Sequence, residues 1–123
     1  MAQPIRVVIA DDSARTRDGL RALLTTWPEV VVIGEAVNGQ DAVRLVEEYQ
    51  PDVVLMDMRM PVLDGAQATR EVKQRWPAIS VIVLTMYDIE QTAALAAGAD
   101  AFLPKGGPPE QLLAALGMAS HKA

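Results

Sequence analysis

The sequence predicts an α/β fold: a doubly wound, five-stranded parallel sheet in the order 2-1-3-4-5, with five helices divided between its two faces. Three observations carry that prediction. Apolar runs begin near Ile5, Val30, Val53, Ile79 and Ala101, a recurrence of about 25 residues that suits alternating strand and helix units. The runs IRVVIA, VVLM and VIVL are rich in β-branched residues and almost free of polar ones, as strands covered on both faces are. Pro28, Pro51 and Pro77 each stand shortly ahead of a strand and close the helix before it. Right-handed crossovers between parallel strands then require helices on both sides of the sheet.

In chain order, the strand from Ile5 runs into Asp11 and Asp12, and Ser13 to Thr26 follows with helical spacing and Leu20, Leu23 and Leu24 inward. After the strand at Val30, Asn38 opens a helix to Tyr49 whose inward set is Ala42, Leu45, Val46 and Tyr49. The strand from Val53 ends at Asp57, and Asp64 to Arg75 forms the third helix over Ala68 and Val72. The strand from Ile79 ends at Thr85. Asp88 to Ala97 reads as one Ala-rich helix, AFLP ends at Lys105, and the last helix follows Pro109. Met56, Met58 and Met60 read as gap-filling core or rim. Trp27 and Trp76, each just before a proline, seal helix ends, and Glu47 and Glu48 with Arg44 form a solvated helix face.

At 123 residues the chain has the length of one domain, expected to occupy 1–123; that size buries roughly two-thirds of the surface exposed by the unfolded chain. There is no cysteine, which excludes disulfides and thiolate catalysis. The N-terminal apolar stretch is too short, and too soon interrupted by carboxylates, for a signal peptide, and no run reaches membrane-spanning length. A soluble cytoplasmic protein is expected. Eleven basic and sixteen acidic side chains give a formal charge of −5, which disfavours direct contact with nucleic acid or an anionic membrane.

In a parallel sheet of this kind, ligands bind beyond the carboxyl ends of the strands, at the point where strand order reverses. Four strands end there in chemically apt residues: Asp11 and Asp12, Asp57, Thr85, and Lys105. Three carboxylates repel one another, and a fold gathers them only with compensating positive charge. Lys105 supplies one charge and a divalent cation the remainder. An open, all-oxygen set suits magnesium better than zinc, which takes His or Cys, and the single histidine, His121, lies in the tail and is read as idle. Asp11 and Asp12 as mere helix caps would leave Asp57 unexplained. A carboxylate beside a metal can attack phosphorus and become an acyl phosphate, which makes Asp57 the nucleophile candidate. Thr85 can donate to a phosphoryl oxygen, and Lys105 can pair with Asp57 before modification and with the phosphoryl group after it.

With these residues in place, the chain resembles the receiver domain of two-component response regulators, a flavodoxin-like fold. The resemblance runs from Ile5 to about Met118 and rests on Asp11-Asp12, MDMRMPVLDG around Asp57, LTMY from Leu84 to Tyr87, and GADAFLPKGG from Gly98 to Gly107. It implies that Asp57 accepts a phosphoryl group from a phosphohistidine of a sensor histidine kinase. It implies that Asp12, Asp57 and the backbone carbonyl of Arg59 hold Mg2+ directly, with Asp11 acting through water, and that Thr85 and Lys105 engage the phosphoryl oxygens. Phosphorylation would draw the Thr85 hydroxyl inward and turn Tyr87 from an exposed to a buried rotamer. That movement reshapes the face made by the fourth helix, the last strand and the last helix.

The loop Gly106-Gly107-Pro108-Pro109 resembles the NarL/LuxR-type subgroup, whose receivers precede a helix-turn-helix DNA-binding domain; many receivers instead have proline after the lysine, so no cis bond is expected at Lys105–Gly106. A C-terminal helix-turn-helix domain in the full-length protein is therefore an expected partner, and a homodimer remains open. Met86 is bulkier than the residue many receivers carry there, and with Arg59 it lies where the family tunes dephosphorylation. The chemistry is on the domain itself, so the chain reads as a phosphoacceptor with intrinsic autodephosphorylation, not as an enzyme acting on an external substrate. The alternative is a phosphate-independent pseudo-receiver that serves as an interaction module. A dehalogenase-type phosphatase needs a second Asp where Arg59 stands, and a flavin phosphate would be repelled by the acidic first loop.

Overall fold

The computed structural model describes residues 3–120, so His121 lies outside the described residues. The strands are β1 (Ile5–Ala10), β2 (Val30–Ala36), β3 (Val53–Asp57), β4 (Ser80–Thr85) and β5 (Ala101–Pro104). They form one sheet in the order β2-β1-β3-β4-β5, and every neighbouring pair is parallel. The α-helices are α1 (Ala14–Leu24), α2 (Gly39–Tyr49), α3 (Gly65–Arg75), α4 (Gln91–Ala96) and α5 (Pro109–Ser120).

Successive strand residues point to opposite faces, and the core divides accordingly. Val7, Ile9, Leu55 and Ile82 pack with Leu24 of α1 and with Leu112 and Leu116 of α5. On the opposite face Val8, Val54, Met56 and Val83 pack with Ala42 and Val46 of α2, Ala68 and Val72 of α3, and Ala94 of α4. Met58 and Met60 are buried in this second cluster as well, and Trp76 packs against it from the end of α3. Local signals set the helix starts. Ser13 accepts from the Thr16 N–H, Asn38 accepts from the Asp41 N–H, and Asp64 and Gln67 form a reciprocal capping box.

Register aligns the carboxyl ends of the strands. Ala10 stands beside Met56, Met56 beside Val83, and Val83 beside Phe102. Two glycines permit close backbone approach at the same end. A Cβ on Gly65 would lie 2.0 Å from the Asp57 carbonyl oxygen, and one on Gly39 would lie 2.0 Å from that of Leu63. Between them Val62 has φ 71, and the Leu63 N–H donates to the Pro61 carbonyl at 2.8 Å. This is a γ-turn of the strained, positive-φ kind, an unfavourable place for a β-branched residue.

Two expectations change. The segment read as one helix over Asp88–Ala97 is a 3-10 turn at Asp88–Glu90 followed by the short α4. Neither Tyr87 nor Glu90 caps these starts with its side chain, and the side chain of Glu90 is engaged elsewhere, so no local bond holds the first turn in α geometry. Tyr49, expected inward, is exposed. It continues the spacing of Leu45 and Val46, but it is the last residue of α2, and the chain turns away immediately at Gln50 in the left-handed conformation.

Candidate functional site

The site lies at the carboxyl edge of β1, β3, β4 and β5. The turn after β1 is tied down on three sides. One oxygen of Asp11 accepts from the Ser13 N–H at 2.9 Å, the Asp11 carbonyl accepts from Arg17 Nη1 at 2.8 Å, and the Asp11 N–H donates to the Ala36 carbonyl. Capping of α1 falls to Ser13, which leaves Asp11 and Asp12 for the site. Asp11 is 2% exposed and Asp57 7%, whereas Asp12 is open to solvent. Each of the three offers a carboxylate oxygen, and these oxygens lie within 4.8 Å of one another.

Lys105 reaches this cluster from the end of β5. Its own N–H donates to the Thr85 carbonyl at 2.8 Å, which docks the loop on β4, and Gly106 follows in the left-handed region at φ 72. No cis peptide bond occurs among the described residues. The ammonium lies 2.7 Å from Asp11 Oδ2 and 3.0 Å from Asp57 Oδ1. Burial, reinforced by the Asp11 charge, raises the Asp57 pKa above its ordinary value; pairing with Lys105 and the Arg59 N–H oppose this without cancelling it. Burial alone would weaken the Lys105 charge, but its pairs with Asp11 and Asp57 outweigh that and raise its pKa. One ammonium therefore does not fully offset the buried carboxylates. The residual negative charge and a donor set of oxygens alone fit a hard divalent cation, and Asp11, Asp12 and Asp57 can hold one.

Thr85, 2% exposed, accepts from the Tyr87 N–H at 3.1 Å and hydrogen-bonds to Glu90 through its hydroxyl. The other Glu90 oxygen pairs with Arg59 Nε at 3.0 Å, and the Arg59 guanidinium stacks over the Tyr87 ring at 4.3 Å. Thr85, Glu90, Arg59 and Tyr87 thus form one network beside the carboxylates. Met86 stands outside it, with its side chain largely exposed. Sequence reasoning did not single out Glu90, because a glutamate in an apparent helix looks like ordinary solvated surface.

The fold and this acidic edge are those of a receiver-type signalling domain, and comparison with known proteins agrees: the chain belongs to the response regulator receiver domain family, whose model matches residues 7–117. Its relatives place it further, among response regulators of the NarL/LuxR type. It is 43% identical over 111 residues to the transcriptional regulatory protein YhcZ of Bacillus subtilis, covering 89% of this chain and 52% of that protein. It is 32% identical over 120 residues to the nitrate/nitrite response regulator NarL of Escherichia coli, covering 96% and 56% respectively. The crystal structure of a LuxR-family two-component response regulator from Aurantimonas superposes with a TM-score of 0.89 at 31% identity, over 96% of this chain and 86% of that one. The chain spans about half the length of the curated relatives it matches. Among the described residues, no helix is long and apolar enough to cross a membrane.

Proposed function

We propose that this receiver is a phosphorylation-operated switch that takes a phosphoryl group onto Asp57 from a phosphohistidine of a sensor kinase. The observation that supports this most directly is the Lys105 ammonium lying between Asp11 and Asp57, at 2.7 and 3.0 Å, on a strand edge that carries an excess of negative charge. In the transfer, an Asp57 carboxylate oxygen forms the new bond to phosphorus as the P–N bond to imidazole breaks, and the imidazole keeps the bonding pair and takes a proton. Asp12, Asp57 and the Arg59 carbonyl would hold Mg2+, with Asp11 acting through water; bound there, the cation offsets the charge of the carboxylates and of the arriving phosphoryl oxygens.

Lys105 exchanges its contact with Asp57 for one with the phosphoryl group, and Thr85 turns its hydroxyl proton to the same group. Tyr87 follows inward, and the face made by α4, β5 and α5 changes shape. In the full-length protein that face controls a C-terminal helix-turn-helix DNA-binding domain, in the cytoplasm, and a second copy of the domain is the other candidate to receive it. The domain resets itself by hydrolysing the acyl phosphate, with Arg59 and Met86 setting its lifetime. The test is intact mass after incubation with magnesium and a small acyl-phosphate donor. One phosphoryl adduct that needs magnesium and is absent from Asp57→Asn is expected. No adduct from this donor or from a phosphohistidine donor would overturn the reading in favour of a phosphate-independent interaction module.

A further inference from the structure

The Thr85 hydroxyl has one proton to give and two acceptors in reach: a Glu90 carboxylate oxygen, the nearer and the charged one, and the Tyr87 carbonyl at 3.4 Å. The hydroxyl oxygen also accepts from the Tyr87 N–H at 3.1 Å, so the side chain is held from both directions. Glu90 is itself fixed: its side chain is only 15% exposed, and its second oxygen pairs with Arg59 Nε at 3.0 Å. Arg59 stands two residues beyond Asp57 and stacks on Tyr87 at 4.3 Å. One carboxylate therefore joins three groups that the proposed switch must rearrange: the hydroxyl that is to meet the phosphoryl group, the aromatic ring that is to turn inward, and the segment that follows the phosphoacceptor. The carboxylate serves no helix, since neither the 3-10 turn nor α4 takes a side-chain cap from it.

We infer that Glu90 is a positioning residue that latches the unmodified domain in its resting arrangement, by holding the Thr85 hydroxyl. This rests on the switch reading above. A phosphoryl group on Asp57 competes with Glu90 for the single Thr85 proton, and both acceptors are anionic. The resting state is therefore favoured by a charge-assisted hydrogen bond that the active state gives up. Loss of that bond raises the fraction of molecules already competent to bind a phosphoryl group, and apparent affinity rises in proportion. The expected change is about tenfold, the scale set by one charge-assisted bond in a largely shielded position.

The experiment measures affinity for beryllium trifluoride, a phosphoryl mimic that does not turn over, in magnesium. It compares wild type, Glu90→Ala, Glu90→Gln, Thr85→Ala and the Thr85→Ala/Glu90→Ala double variant, with Asp57→Asn as the blank. Glu90→Ala should bind about tenfold more tightly than wild type, with the amide resonances of Thr85 and Tyr87 in the free variant displaced toward their positions in the bound wild type. Glu90→Gln, which keeps an acceptor oxygen but loses the charge, should fall between the two. In the Thr85→Ala background the Glu90→Ala gain should vanish, which a merely structural role for Glu90 would not produce. Equal affinity of Glu90→Ala and wild type overturns the latch, as does a gain of the same size with and without Thr85. If wild type neither binds the mimic nor gains a phosphoryl adduct, it is the switch reading that fails. If Glu90→Ala does not fold, Glu90→Gln carries the comparison: tighter binding than wild type supports the latch and equal affinity overturns it.

Discussion

The acidic edge and the segment after β4 sit side by side and are built in opposite ways. Asp11, Asp57 and Lys105 are fixed by strands: parallel register aligns β1, β3 and β5 through β4, and buried ion pairs close the gap. Beyond Thr85 the chain leaves the sheet. Met86, Tyr87, Ile89 and Leu95 are exposed, the next helices are a 3-10 turn and a six-residue α4, and polar contacts supply most of what holds the turn. Segments with few buried apolar contacts open at lower free energy than the core they border. The fixed half can thus hold reacting groups in place while the other half changes conformation at small cost.

The strongest break of the fixed half is Asp57→Asn, which should abolish the phosphoryl adduct outright by intact mass. The same variant reports on charge. Because burial raises the folded Asp57 pKa above its unfolded value near 3.8, the folded state binds that proton more tightly. This group therefore contributes stability at low pH that is lost as pH rises from about 4 through the raised value. Asp57→Asn should remove that contribution, flattening the acidic side of the melting-temperature profile and raising stability at neutral pH.

Lys105→Ala should be next. It leaves two buried carboxylates without their ammonium, a change that costs roughly 2–4 kcal/mol in denaturant unfolding at neutral pH, with part of the loss recovered on acidification. Magnesium should still bind, whereas phosphorylation should no longer move Tyr87, observable in its ring NMR resonances; a normal Tyr87 response would refute the role given to this lysine. Gly65→Ala tests the backbone of the same half. The added Cβ would meet the Asp57 carbonyl at 2.0 Å, so the start of α3 must shift, at a cost of about 2–3 kcal/mol, with slower phosphorylation. The smallest effect belongs to the other half. Ile89→Ala, at a side chain 86% exposed, should change stability by less than about 0.5 kcal/mol. A loss of several kcal/mol there would show that the segment is as firmly built as the edge beside it.

The same division governs what could be read from the sequence. Strand positions, strand order and the meeting of Asp11, Asp12, Asp57, Thr85 and Lys105 at one edge follow from apolar runs, proline stops and crossover handedness, because a parallel sheet leaves those residues no other place to end. The Glu90 network was not legible. It depends on a helix that fails to start at Asp88 and on which of several acceptors takes one hydroxyl proton, and neither leaves a periodic trace. Tyr49 shows the related limit at a terminus, where spacing alone does not say whether sheet still lies beneath the last helical position. The bulge between Val7 and Val8 in the β1–β2 ladder is likewise a matter of pairing, not of composition.

The Lys105–Asp11 pair spans 94 residues, from the first strand end to the last. As the chain is made, Asp11 emerges first, Asp57 next, and the ammonium that answers both arrives with the final strand. Until it docks, β1 and β3 bring together two carboxylates that repel each other, so a fragment ending before β5 lacks the charge complement of its own centre as well as the apolar cover of Leu112 and Leu116. Docking of the final strand and arrival of the site's ammonium are thus one event in assembly, and a chain that has not finished folding has not yet formed this pocket.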